Sequence, residues 1–150
     1  MSGSRWAAVT DAVVALLDAQ LSIPVFDGIP VTSDYIADAV IVGNQPGKDD
    51  GAAGLITQDY HEVGVGAKRD ETGEIRCAAI SQTGDNTLSV VRGNALATVA
   101  SVESALRTSV NLGLADLLYV EVKVGEMFQG ATTRGVFAEC RFTIAYTALI

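Results

Sequence analysis

Histidine is nearly missing from this chain: its 150 residues include one, His61, with two cysteines, three prolines and one tryptophan. A lone histidine cannot build an HExxH zinc helix, and no nucleophile elbow or Walker loop occurs either. His61 stands beside Glu62 in a strand-like pattern and is read as a surface or packing residue. The two cysteines, Cys77 and Cys140, lie far apart in alternating runs and form no CxxC pair, so buried, reduced thiols are expected. Basic clusters are also absent, the longest being Lys68-Arg69, and the formal net charge is −8. Bulk attraction to nucleic acid is therefore disfavoured. The longest apolar stretches, such as Ala12 to Leu17, fall well short of the ~20 residues of a membrane span. A basic, then apolar, then small-residue leader is missing from the start, and a cytosolic product is expected.

What is present fits one domain. A chain of this length buries roughly 70% of the surface its unfolded form exposes, so it needs no metal or disulfide staple. Hydrophobic residues make up 49% and charged residues 19%, a balance that leans towards subunit contacts. Trp6, Val9, Val13, Leu16 or Leu17, and Gln20 recur on successive turns, which predicts an amphipathic helix from Ser4, its N-cap, to Gln20. Pro24 blocks its continuation. An extended piece at Val25-Phe26-Asp27, a turn-rich stretch from Gly28 to Asp34 and a buried strand from Asp38 to Gly43 follow. Asn44 to Gly54, rich in glycine and charge, reads as a mobile surface loop. Asp49 and Asp50 within it lack the alternating ligands of a calcium loop.

Two strand patterns, Thr57 to Gly66 and Glu74 to Ser81, flank Lys68-Arg69-Asp70-Glu71-Thr72-Gly73, which reads as the charged tip of a long hairpin. Gly64-Val65-Gly66 lacks the third glycine and the following helix of a dinucleotide fingerprint. The longest helix is expected from Thr87 to about Val110, capped by Asp85 or Asn86 and stopped by Asn111 and Gly113. Leu88, Val91, Ala95, Val99, Val102, Leu106 and Val110 form its stripe. Two long strands close the chain, Leu117 to about Gln129 and Val136 to Ala145, joined at Gly130 to Gly135. Val136, Ala138, Cys140, Phe142 and Ile144 share the apolar face of the second. The expected fold class is α+β: a mainly antiparallel sheet with two helices on one face and a long charged hairpin.

The order of elements and several local phrases resemble the tail terminator proteins of long-tailed phages, particularly those infecting actinobacteria. The phrases are Trp6-Ala7-Ala8-Val9 to Leu17, Val25-Phe26-Asp27-Gly28-Ile29-Pro30-Val31-Thr32 with Asp34-Tyr35, and Asp38-Ala39-Val40-Ile41-Val42-Gly43. Glu74-Ile75-Arg76-Cys77-Ala78-Ala79 and the long helix after Gly84-Asp85 complete the match, which spans almost the whole chain. The resemblance implies a virion protein, made in the host cytoplasm, that forms a ring, usually of six subunits. That ring caps the tail tube, stops its polymerisation and presents a surface to the head-closure or connector protein. It implies no enzyme activity and no cofactor, and DNA passing through the pore without specific binding. Another neck component, a tail-tube subunit and a small α+β ligand-binding domain or enzyme are the rival readings.

No contact residues transfer from the family, so the expected interface is geometric. Its members are Lys68, Arg69, Asp70 and Glu71 at the hairpin tip, with Glu121, Lys123, Glu139 and Arg141 as alternating charges on the outer sheet face. Cross-strand ion pairing, at most ~1 kcal/mol per pair, is the plainer account of the last four.

Overall fold

Apolar residues at positions 9, 13 and 17 recur at the spacing of one helical face, and in the computed structural model they line the buried side of helix α1, Trp6–Gln20. The structure describes residues 3–29, 36–46, 52–60, 69–84 and 87–150. Arg5, not Ser4, holds the N-cap position of α1. Ser4 stands one residue earlier, where its hydroxyl accepts the Trp6 amide at 3.1 Å. An ion pair from Arg5 to Asp116 ties this end of the helix to the chain just before the fifth strand. The second helix, α2, spans Leu88–Arg107 and buries Val91, Ala95, Val99, Val102 and Leu106. It ends three residues before the expected Val110. Leu112 and Gly113 then take positive φ, and the Asn111 side chain accepts the Gly113 amide at 3.1 Å. The expected caps Asp85 and Asn86 lie outside the described residues.

The strands are β1 (Val25–Asp27), β2 (Asp38–Val42), β3 (Gly54–Tyr60), β4 (Arg69–Thr83), β5 (Leu117–Thr132) and β6 (Gly135–Leu149). They form one sheet in the order β1-β2-β4-β6-β5, with β3 pairing β4 beyond the end of β2. Every pairing is antiparallel except β1 with β2. Both helices lie against this sheet, so the α+β expectation holds. Val40, Val42, Ile75, Cys77, Ala79, Cys140, Phe142 and Ile144 meet Val9, Val13, Leu17 and the α2 stripe in one core. Both cysteines are buried and free. Burial pushes the Cys77 thiol up to about 12 and raises that of Cys140, so both stay protonated.

Three further expectations change. Residues 69–73 are not a hairpin tip: they belong to β4, where Arg69 faces Tyr60 and Gly73 faces Ile56. The charged run can lie in a strand because Glu71 finds its hydrogen-bond donors at positions 4, 5, 58 and 146, far along the chain. The connection between β3 and β4, including His61 and Lys68, lies outside the described residues. Gln45, expected on a surface loop, is buried and donates to the carbonyls of Cys77 and Phe142, both at 3.2 Å; residues 47–51 of that loop, with Asp49 and Asp50, lie outside the described residues. The final strand also runs on to Leu149, four residues past Ala145.

Candidate interaction surface

At one end of the sheet the order across is β3-β4-β6-β5, and on its helix-facing side sits Glu71, with no solvent exposure. Four donors surround the carboxylate: Tyr146 Oη at 2.6 Å, Ser4 Oγ at 3.1 Å, the Arg5 amide at 2.9 Å and Gln58 Nε2 at 2.6 Å. Burial opposes the charge, but the four donors outweigh it and hold the Glu71 carboxyl below its ordinary range. Burial, together with the neighbouring carboxylate, raises the Tyr146 phenol well above its usual value. Tyr146 reaches Glu71 only because Gly73 lies beneath its ring: a Cβ there would stand 2.3 Å from the ring carbons. Glu71 is therefore not a contact residue. It fastens the start of α1 to β4 and β6.

Its neighbours in the charge run differ. Arg69 is half-buried, donates to Gln58 Oε1 at 3.0 Å and lies over the Tyr60 ring with its guanidinium carbon 5.6 Å from the centroid. Asp70 is half-buried opposite Asp59 and Leu149. Lys68 lies outside the described residues.

On the helix-free side, Glu139 and Arg141 do not form the expected wet face. Each is 8% exposed. They pair with each other at 2.6 Å, along one strand and not across two. Arg141 also donates to the Pro46 carbonyl at 2.8 Å and lies 3.9 Å from the centroid of the Phe128 ring. A bulge between Val124 and Met127 explains the cover. Before it, even-numbered residues of β5 face the helices; after it, Met127 does, and Phe128 lands on the helix-free side opposite Glu139. A sequence alternation read without the bulge cannot place Phe128 there.

Glu121 and Lys123 are exposed, as expected, but their nearest ionic contact is each other, at 3.8 Å along β5. Register puts them opposite Ala145 and Thr143, so they do not meet Glu139 or Arg141. They line a shallow trough of about 270 Å³ on the helix-free side with Leu55, Thr57, Glu74 and Tyr119. The sequence reading misses Leu55 as a surface residue, whereas Tyr119 lies on the outer face with Glu121 and Lys123, as the alternation of β5 predicts. Leu55-Ile56 directly after Gly54 carries the signal, which a strand beginning at Thr57 leaves out.

Exposed apolar side chains occur on both borders of this end of the sheet, as they do at Val90 and Leu96 of α2 and at Val110 after it. Leu55, Ile56 and Tyr60 mark the β3 border, and Leu118, Tyr119 and Val124 the β5 border. Among the described residues no group of three or more His, Cys, Asp or Glu is placed to hold a metal ion, and no helix is long and apolar enough to cross a membrane. No protein-family model matches the chain, and no curated protein matches it.

Proposed function

We propose that this chain is a structural virion protein whose copies close into a ring, of six by the resemblance to tail terminators, on the end of a phage tail tube. The ring stops tube growth and offers the joint to the head connector. The observation that carries the reading is a pair of exposed apolar patches, Leu55, Ile56 and Tyr60 on one border of the sheet and Leu118, Tyr119 and Val124 on the opposite border. A two-fold dimer uses one patch twice, whereas two different patches on opposite sides suit head-to-tail contacts, which close into a ring when the rotation permits. The net charge of −8 supports a DNA pore, since a wall without excess cations does not hold phosphates.

Negative-stain electron microscopy and light scattering of the purified protein, alone and with the tube subunit, test the reading. The expected outcome is annular particles, or capped tubes of defined length in the mixture. Long tubes from this chain alone would make it a tube subunit, and a monomer under both conditions would remove the ring.

A further inference from the structure

The main-chain bonds at the sheet borders specify how one copy meets the next. Arg69 and Ile150 exchange amide-to-carbonyl bonds at 2.9 Å in each direction, so odd-numbered residues of β4 bond to β6. The Arg76 amide donates to the Ala53 carbonyl at 2.8 Å, so even-numbered residues of β4 bond towards β3. By the same alternation Leu55, Thr57 and Asp59 point their amides into the sheet, and Ile56 and Gln58 point theirs out of it. Leu149 donates to Asp116 at 2.9 Å, which assigns the odd residues of β6 to β5. After the irregularity at Leu117/Tyr119, Tyr119, Glu121 and Lys123 bond inward, and Val120, Val122 and Val124 present their amides and carbonyls outward. Among the described residues two open ladders result, one on each side of the same four strands.

We propose that the outer border of β5 in one copy adds onto the outer border of β3 in the next, so that the sheet continues from subunit to subunit. This rests on the ring reading and names its contact. Strand direction favours it: β3 and β6 run one way and β4 and β5 the other, so copies turned alike set β5 against an antiparallel β3 with all helices on one side. Lengths agree, since the regular run Tyr119–Val124 between the two irregularities of β5 nearly equals the seven residues of β3. The apolar residues agree as well. A two-fold contact of β5 with β5 would cover Leu118, Tyr119 and Val124 but leave Leu55, Ile56 and Tyr60 in water.

Ile56→Pro and Val122→Pro each remove one outward donor without removing a bond inside the sheet, and circular dichroism confirms that each variant folds. Each variant alone is expected to lose ring formation, with subunit association weakened by about tenfold or more. A 1:1 mixture is expected to give a two-copy species, because the intact β5 of the first variant meets the intact β3 of the second. Should either proline disturb the fold, amide exchange on the unaltered protein replaces it, with slowing at Ile56, Gln58, Val120 and Val122 on assembly as the expected result. Rings from both folded variants, or unchanged exchange at those amides in an assembled ring, would overturn the strand addition while leaving the ring. Dimers from Ile56→Pro alone would replace it with a β5–β5 contact, and a monomeric unaltered protein, with or without the tube subunit, would remove the ring itself.

Discussion

Glu71 and Glu139 are both carboxylates withdrawn from water in β-strands, yet they are kept there by different means. Among the described residues Glu71 has no cation in its hydrogen-bond shell; a phenol, a hydroxyl, a main-chain amide and a side-chain amide share its charge. Glu139 has Arg141 at 2.6 Å, and that guanidinium is itself held by a carbonyl and an aromatic face. The first arrangement spans three parts of the chain, α1, the β3–β4 pair and β6, so it records tertiary structure. The second is mostly local, between residues two apart on one strand. Burial of charge thus fastens the fold at one end of the sheet and fixes a single strand face at its middle.

The largest effect is expected from removing the shared acceptor. Glu71→Ala leaves four donors facing a void, and a loss of about 3 kcal/mol in unfolding free energy is expected from urea titration. Gly73→Ala attacks the same cluster sterically, because the added methyl meets the Tyr146 ring; about 2 kcal/mol is expected. Adding Tyr146→Ala should relieve the clash, so the pair of changes should cost less than the sum of the two alone. Strict additivity would mean that Gly73 is not there to admit the ring.

Arg141→Met tests the other carboxylate. It strands Glu139 without its cation and should cost about 2 kcal/mol, while Glu139→Gln with Arg141→Met should recover much of that loss. An equal loss in the double variant would show that packing on Phe128, not charge, sustains Arg141.

The pH dependence separates two partners within the Glu71 cluster. The folded-state value of Glu71 is below that of the unfolded chain, so its contribution is complete above the ordinary carboxylate range. It is lost as pH falls through that range and on through the lowered value. Tyr146 has the opposite sign: its raised value means that stability is complete below the ordinary tyrosine pKa of about 10 and declines as pH rises past it. Thermal unfolding across pH should therefore show an acid limb that flattens in Glu71→Gln and an alkaline limb that flattens in Tyr146→Phe. Persistence of both limbs in these variants would place the titrating groups elsewhere.

These clusters also mark where sequence reading stopped. The period-three-and-four stripes of α1 and α2 and the period-two alternation of Val136 to Ile144 were legible because each repeats one physical preference along the chain. Glu71 was not. Its donors come from positions 4, 5, 58 and 146, and nothing local distinguishes Arg69 to Gly73 from a solvated turn. Phe128 was missed for a second reason: a bulge shifts the alternation by a residue, and only pairing with β6 reveals it. The open borders depend on strand order, which links residues 54–60 to 117–124 through two intervening strands.

The smallest effect is expected where charge is paired but wet. Glu121 and Lys123 share β5 and stand 3.8 Å apart, with side chains 51% and 58% exposed. Water screens the attraction, and holding two flexible side chains together costs entropy, so Lys123→Ala should change monomer stability by less than about 0.5 kcal/mol. That near-silence separates folding from assembly. Lys123 lies on the β5 border beside Val122 and Val124, whose outward amides are proposed to meet the next copy, and a folded, stable Lys123→Ala protein can still join its neighbours differently. Urea titration should find the variant unchanged, while light scattering in low and high salt should find its association less dependent on ionic strength than that of the unaltered chain. A loss above 1.4 kcal/mol, a factor of about ten in the folding equilibrium, would mean that exposure does not rank these two ion pairs and that Lys123 supports the sheet as Arg141 does.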